Sequence, residues 1–120
     1  MTARPRRIMV AYDGSDVAGR ALDAAADLTG YGSTLAVVTV HSGEIDIATT
    51  DGAHRRLLRR HVEARYHEAS GEPVEQLVEK AHELGADLLV IGHQNGTPDF
   101  LGSVSSRVVR RAPCDVLVVR

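Results

Sequence analysis

The chain of 120 residues is poor in cysteine, aromatic residues and lysine. Its single cysteine, Cys114, excludes an internal disulfide and a cysteine-rich metal site and favours a reducing compartment, so we expect a cytoplasmic protein. Its single lysine, Lys80, lies within a predicted helix, which excludes a phosphate clamp of the Walker type. The apolar runs are far shorter than the roughly 20 residues that a membrane-spanning helix needs, so no membrane association is expected.

Charge and length narrow the class further. The formal net charge of -2 gives no general attraction to nucleic acid, and the basic clusters lack the interleaved aromatic residues on which single strands stack. The basic first residues lead directly into a strand pattern without the apolar core of a signal peptide, so export is not expected. A hydrophobic content of 43% fits one globular domain over residues 1–120.

Strand patterns and helical patterns alternate along the chain. The predicted strands are residues 7–12, 34–40, 62–67, 87–91 and 114–119, the third of them near a sheet edge. The predicted helices are residues 16–28, a short one at 53–60, a third from Pro73 to a stop at Gly85, and 104–112; Ser15 is the expected cap of the first. With right-handed crossovers, this alternation predicts an α/β fold, a doubly wound five-stranded parallel sheet of order 3-2-1-4-5 with helices on both faces.

Two predicted strand ends point to a binding crevice. In doubly wound sheets, ligands bind beyond the carboxyl ends of the strands where the winding direction reverses, and Asp13 and Gly92 follow two such ends. The segment from Gly92 to Ser105 joins a strand to a helix start, where backbone N–H groups and the helix dipole favour an anion such as phosphate. The alternative is structural, because Gly92 can simply end a strand while Ser103 and Asp13 cap helices.

Four segments, at residues 8–15, 71–73, 85–92 and 102–119, follow one another in a familiar order that extends over nearly the whole chain. Together they resemble the universal stress protein family. The resemblance implies a cytoplasmic Rossmann-like sandwich of the adenine-nucleotide-hydrolase type, often a homodimer. In the members that bind nucleotides, it implies ATP held by the glycine loop and the helix start, with an aspartate after the first strand on the nucleoside.

The resemblance assigns a set of candidate site residues to this chain. Asp13 would contact the ribose or adenine, the main chain near two strand ends would hold the base, and the glycine loop and serine hydroxyls would hold the phosphates. ATP, with Mg²⁺ where it binds, is the implied cofactor. The nucleotide-binding residues so predicted are Ala11, Asp13, Val40, Gly92, Gly96, Gly102, Ser103, Val104 and Ser105.

This chain departs from the family's phosphate pattern of Gly, two residues, Gly, nine residues and Gly-Ser or Gly-Thr. Asn95 stands at the second glycine, Gly96 follows it, and the loop up to Gly102 is three residues shorter than the pattern. Asn and Gly both tolerate left-handed backbone geometry, so a tight turn that presents N–H groups is still compatible with the sequence. Two hypotheses stay open: an ATP-responsive regulatory module, and a nucleotide-independent stress-associated dimer that acts through protein contacts.

The last strand, with Val116, Leu117, Val118 and Val119, would be an aggregation risk if left bare at a sheet edge. We therefore expect a homodimer in which this strand pairs with its copy, as the family resemblance also implies. The protein partner beyond that copy is unknown.

Catalysis is not expected, because the sequence has no spaced series of serine, histidine and acid and no pair of carboxylates with such spacing, although slow ATP hydrolysis stays open. His41 and His93 follow strands on the ligand side and are interpreted as surface loop histidines, with no metal assigned. The basic cluster of Arg55, Arg56, Arg59 and Arg60 is interpreted as a solvated helix face rather than a partner site.

Overall fold

The computed structural model describes residues 6–93 and 103–120. Five strands alternate with four helices in the order β1 (Arg7–Ala11), α1 (Asp16–Leu28), β2 (Thr34–His41), α2 (Ile47–Arg59), β3 (Arg65–Ser70), α3 (Pro73–Leu84), β4 (Leu88–Gly92), α4 (Ser103–Arg111) and β5 (Asp115–Val119). All neighbouring strands are parallel, and the sheet order is β3-β2-β1-β4-β5. The predicted fold class and strand order are confirmed.

The helix ends follow the local chemistry of the sequence. Ser15 caps α1, since its hydroxyl accepts a hydrogen bond from the N–H of Ala18 at 3.2 Å. Gly85 ends α3 in the left-handed conformation (φ 62°), which glycine adopts without a steric penalty. The predicted cap and the predicted stop are therefore both confirmed.

The predicted boundaries that are wrong by more than one residue all lie between β2 and α3. Helix α2 begins at Ile47, six residues before the predicted start at Ala53. Asp46 caps it by accepting from the N–H of Ala48 at 3.0 Å. Threonine and glycine in its first turns have weak helix propensity, so the sequence alone resembles a turn, and tertiary contacts decide the outcome.

Strand β3 begins at Arg65 rather than at residue 62. The chain leaves α2 through His61, which has a positive φ of 57°, and the N–H of Val62 donates to the carbonyl of Leu57. Val62 and Ala64 are apolar because they pack on the core beside α2, and not because they belong to the strand. The alternation of apolar and polar residues therefore covers both the exit from α2 and the start of β3, and not a single strand.

The sheet has one hydrophobic core on each face. On the α1/α2 face, Ile8 and Val10 pack against Leu22 and Leu57. On the α3/α4 face, Met9 and Leu89 pack against α3 residues, with Val108 contributed by α4. Because strand side chains alternate, the continuous apolar runs of β1, β2 and β4 supply both cores at once. Within residues 6–93 and 103–120, every helix is too short or too polar to cross a membrane.

Candidate functional site

The sheet parts at the carboxyl ends of β1 and β4. Their pairing ends at Val10 and Val90, whereas β1 continues beside β2 to the pair Ala11 and Val38. Strand β4 likewise continues beside β5 to Gly92. A cavity of about 300 Å³ opens where the two central strands separate. Its position is the one that the topology of a doubly wound sheet predicts for a ligand.

Five of the predicted site residues line this cavity. They are Ala11, Asp13, Val40, Gly92 and Val104. The other described residues around the cavity were not predicted from the sequence; they are Tyr12, Ser15, Val17, Ala18, Val38, Ser42, Pro73, Leu77 and Ile91. Two of these, Pro73 and Leu77, come from the first turns of α3; the sequence marks Pro73 as a first-turn residue and Leu77 as part of the apolar stripe, but neither signal places them at the crevice.

Asp13 is exposed at the mouth of the crevice and is tied to the start of α1. Its Oδ1 accepts from the backbone N–H of Ser15 at 3.0 Å and from the Ser15 hydroxyl at 2.6 Å. The Ser15 hydroxyl in turn accepts from Ala18, so the aspartate orients the helix cap. Both of these hydrogen bonds from Ser15 end on Oδ1.

At Gly92, the end of β4 packs closely against the start of α1. A Cβ atom at this position would lie 3.0 Å from both Cγ2 and the carbonyl oxygen of Val17. Any larger residue would push the strand end away from the helix, because a backbone atom cannot move aside as a flexible side chain can. The glycine therefore serves a close approach of strand and helix at one wall of the crevice.

Helix α4 supplies the opposite wall of the cavity. Val104 is 44% exposed and lines it, whereas Ser105 is 4% exposed and is not among the described residues that line it. The helix begins at Ser103. Gly96, Gly102 and the side chain of Ser103 lie outside the described residues.

An ion pair bridges α3 and α4 beside the crevice. Arg107 Nη1 lies 3.2 Å from Glu72 Oε1, while Glu72 Oε2 accepts from the N–H of Glu75 at 2.8 Å. The N–H of Glu75, and to a smaller extent Arg107, hold the pKa of Glu72 below its ordinary value. Glu72 thus caps α3 and neutralises Arg107 at the same time. Sequence spacing gave no signal of this pair, because its members are 35 residues apart.

The interpretation of His41 and His93 as surface residues is wrong. The side chain of His41 is 9% exposed, and His93 is 5% exposed. His41 Nδ1 accepts from the N–H of Asp46 at 3.5 Å, and its Nε2 lies 3.7 Å from Glu68 Oε1. His93 is buried directly after the end of β4, whereas His41 is half-buried as the last residue of β2, one residue past the predicted strand end.

The arginine cluster on α2 is partly consumed by ion pairs with α1. Arg56 donates from Nε and Nη2 to the two carboxylate oxygens of Asp23, at 2.9 and 2.8 Å. Arg60 also pairs with Asp23, at 3.5 Å, and with Asp27. The hydrogen bond from Arg56 is the main reason why the pKa of Asp23 is lowered. Arg55 and Arg59 are exposed on the same helix, as a solvated face requires.

Two further observations concern metals and the sheet edge. In the described part of the chain, no group of three or more His, Cys, Asp or Glu side chains could hold a metal ion.

Strand β5 lies at the edge of the sheet, where Leu117 is 37% exposed, and Val109 of the neighbouring α4 is 43% exposed. The edge position of β5 agrees with the sequence.

Comparison with known proteins gives one consistent result. The model of the universal stress protein family matches residues 5–120. A universal stress protein of Thermus aquaticus is 34% identical, with 96% of this chain and 98% of that protein covered.

Solved structures agree with the sequence matches. A universal stress protein in complex with cAMP has a TM-score of 0.85 and 32% identity over 98% of each chain. The Archaeoglobus fulgidus universal stress protein in complex with dAMP has a TM-score of 0.80 and 27% identity, covering 98% of this chain and 100% of that one. Since the family match spans almost all residues and the fold agrees along its whole length, the chain belongs to the universal stress protein family.

Proposed function

We propose that this protein binds an adenine nucleotide in the crevice between β1 and β4. The observation that carries the proposal is the parting of these strands after Val10 and Val90, which opens a cavity of about 300 Å³ at the carboxyl edge of the sheet. Two relatives that share the fold over nearly their whole length were crystallised with cAMP and with dAMP, which supports the same class of ligand here.

The nucleoside would lie on the side of the crevice formed by β1 and β2. Ala11 and Val40 offer strand-end backbone and a small apolar surface to the flat base. Asp13 Oδ2 would accept a hydrogen bond from a ribose hydroxyl, while Oδ1 stays engaged with Ser15. The phosphate would point to the start of α4, where the helix dipole and unpaired N–H groups favour an anion.

Charge around the crevice favours a ligand with few negative charges. Asp13 lines the crevice, Asp16 lies in the first turn of α1, and Glu72 and Glu75 lie at the start of α3. Arg107 is neutralised by Glu72. We therefore expect AMP or cAMP to bind at least as tightly as ATP alone, and Mg²⁺ to improve ATP binding by offsetting its charge.

Calorimetric titration of the nucleotide-stripped protein with AMP, cAMP, and ATP with and without Mg²⁺ tests the proposal. One-site binding of AMP is expected. Ala11→Leu should abolish it by filling the cavity, and Asp13→Asn should weaken it about tenfold through loss of a charge-assisted hydrogen bond. Asp51→Asn on the exposed part of α2 is the matched control and should bind like the wild type. Absence of heat up to millimolar AMP, or full affinity in Ala11→Leu, would refute the site.

A second candidate function is a dimer that acts through protein contacts, with or without nucleotide. The edge position of β5 and the exposure of Leu117 favour pairing of this strand with its copy. Light scattering during size exclusion at micromolar concentration should give twice the chain mass, and Leu117→Lys should shift it toward the monomer. A wild-type monomer would contradict the dimer.

We also propose a binding role without catalysis, in a cytoplasmic location. The described residues that line the crevice include no histidine for a catalytic triad and no lysine or arginine to stabilise a transferring phosphoryl group. The expected result is no steady release of phosphate when ATP and Mg²⁺ are incubated with the purified protein. Continuous turnover proportional to protein concentration, and absent from Ala11→Leu, would contradict this part of the proposal.

A further inference from the structure

A second cavity lies at the opposite end of the sheet. It has a volume of about 360 Å³ and sits at the amino ends of β1, β2 and β3, on the α3/α4 face. Its floor is apolar, with Met9, Leu84 and Ala86, and its polar lining consists of side chains from the strands. No acidic residue is among the described residues that line it. The nucleotide proposal does not use this cavity.

Two arginines border the cavity from strands on either side of β2. Arg7 of β1 pairs in register with Thr34, and Arg65 of β3 pairs with Ala36. A Cβ at Gly85 would lie 2.8 Å from Nη1 of Arg7, so the glycine that ends α3 also leaves room for this guanidinium. The negative end of the α3 dipole favours a cation at that place. Arg7 is therefore held beside the cavity by the end of α3.

His67 brings a buried nitrogen to the same cavity. Its Nε2 is shielded from solvent and has no hydrogen-bond partner in the part of the chain that the structure describes. Burial, with Lys80 and Arg65 as smaller causes, lowers the pKa of His67, so the imidazole is neutral at neutral pH. A buried nitrogen without a partner is unfavourable unless a ligand supplies one.

The acidic groups near this cavity are engaged elsewhere. Glu83 pairs with Lys80 at 3.1 Å on α3. The carboxylate of Asp87 accepts from the backbone N–H groups of Arg6 and Arg7, at 3.0 and 2.9 Å. The cavity consequently combines a positive rim, a buried nitrogen and an apolar floor.

We propose that this cavity binds a small organic anion, with a carboxylate or phosphate group between Arg7 and Arg65 and a short apolar body on the floor. Arginine suits such a group because its planar guanidinium donates two parallel hydrogen bonds to an oxyanion. In the bound state, His67 would turn its Nε2, which is shielded in this structure, toward the same group and donate one hydrogen bond to it. The volume limits the ligand to one smaller than a typical drug-sized molecule. The site is separate from the nucleotide crevice and stands independently of the proposed function.

Nuclear magnetic resonance of the labelled full chain tests the proposal, with inorganic phosphate and butyrate as two separate probes at constant ionic strength. The amides of Thr34 and Ala36 and the imidazole of His67 should shift together along one saturable curve. Butyrate carries an apolar tail and phosphate does not, so the tighter probe identifies the preferred group. Shifts that grow linearly without saturation for both probes would overturn the proposal. Saturable shifts confined to the amides of Asp13 and Val104 would place the anion in the nucleotide crevice and also overturn it.

Variants separate a specific site from general attraction to arginine. Arg65→Gln removes an exposed charge without disturbing the core, and should weaken the tighter probe about tenfold. His67→Gln should also weaken it, and Arg55→Gln on the opposite face is the matched control that should leave it unchanged. Equal affinity in Arg65→Gln and Arg55→Gln would overturn the proposal. Thermal melts followed by circular dichroism verify that each variant is folded. If His67→Gln is not folded, the affinity of Arg65→Gln alone decides the outcome.

Discussion

The two faces of the sheet are covered in different ways. On the α1/α2 face, the helices are joined to each other by the Asp23 and Arg56 pair, and α2 is joined to β3 by a hydrogen bond from Thr50 to Glu68. On the α3/α4 face, α3 packs over the centre of the sheet, and a cavity remains at each end of the strands. Both faces thus have an ion pair between their helices, but α2 is also fastened to the sheet by a side-chain hydrogen bond, whereas the α3/α4 face leaves space for ligands at both ends of the strands.

The largest effect is expected from Met9, which is fully buried between the two cavities. Met9 lines the amino-end cavity, and its neighbour in the core, Leu77, lines the crevice. Met9→Ala should lower the free energy of unfolding by about 2–5 kcal/mol, because the lost side chain adds empty volume to a face that already holds cavities. Urea denaturation measures the change. Met9→Leu, which nearly conserves volume, should cost less than about 1.5 kcal/mol. Equal costs for both variants would mean that the space around Met9 is not what matters.

Gly92→Ala should have the next largest effect. The added methyl would meet the backbone of Val17 at 3.0 Å, so we expect a loss of about 1–3 kcal/mol together with weaker AMP binding. Thermal unfolding and calorimetry measure the two quantities. Gly43→Ala is the control, because a Cβ there meets nothing within 4 Å, and it should stay within about 0.5 kcal/mol of the wild type. A stable Gly92→Ala protein would show that β4 and α1 can separate freely.

The ion pair of Asp23 and Arg56 on the α1/α2 face should contribute less to stability. A double-mutant cycle of Asp23→Asn and Arg56→Gln should give a coupling of about 0.5–1 kcal/mol at pH 7, since both side chains are partly exposed. The pKa of Asp23 is lowered in the folded state. The coupling is therefore complete above the unfolded pKa of about 3.9 and disappears as the pH falls through the lower folded value. A coupling that is unchanged at pH 2.5 would contradict this account.

The smallest effect concerns Glu72 at the edge of the crevice. Glu72→Gln keeps an oxygen to cap α3 but no longer neutralises Arg107, so AMP affinity should rise about two- to threefold and ATP affinity rather more. Titration calorimetry at low salt measures both. Glu79→Gln, on an exposed position of the same helix, should change neither. Equal changes for AMP and ATP would show that ligand charge is not what the pair controls.

Much of the fold could be predicted from the sequence because the signals were local. Ser15 and Gly85 mark helix ends by their own chemistry, and the apolar runs mark the strands. The start of α2 could not be predicted, because Thr50 is held in the helix by its hydrogen bond to Glu68, 18 residues away. Long-range contacts override weak propensity at such places.

The residues of the candidate site could likewise be predicted only in part. Asp13 and Gly92 follow strands, and topology alone puts strand ends at the crevice. Pro73, Leu77 and Arg107 reach the same region only through the packing of α3 and α4 against the sheet. Their spacing along the chain carries no record of that packing, so sequence reasoning did not find them.

The parting of β1 and β4 also has a mechanical consequence. These strands share three residue pairs, whereas each of the other three strand contacts in the sheet has five or six. The contact between two groups of strands, β3-β2-β1 and β4-β5, is therefore the shortest in the sheet. Helix α1 packs on both groups, and we expect a ligand bound at the end of this short contact to touch both of them as well and to hold them together.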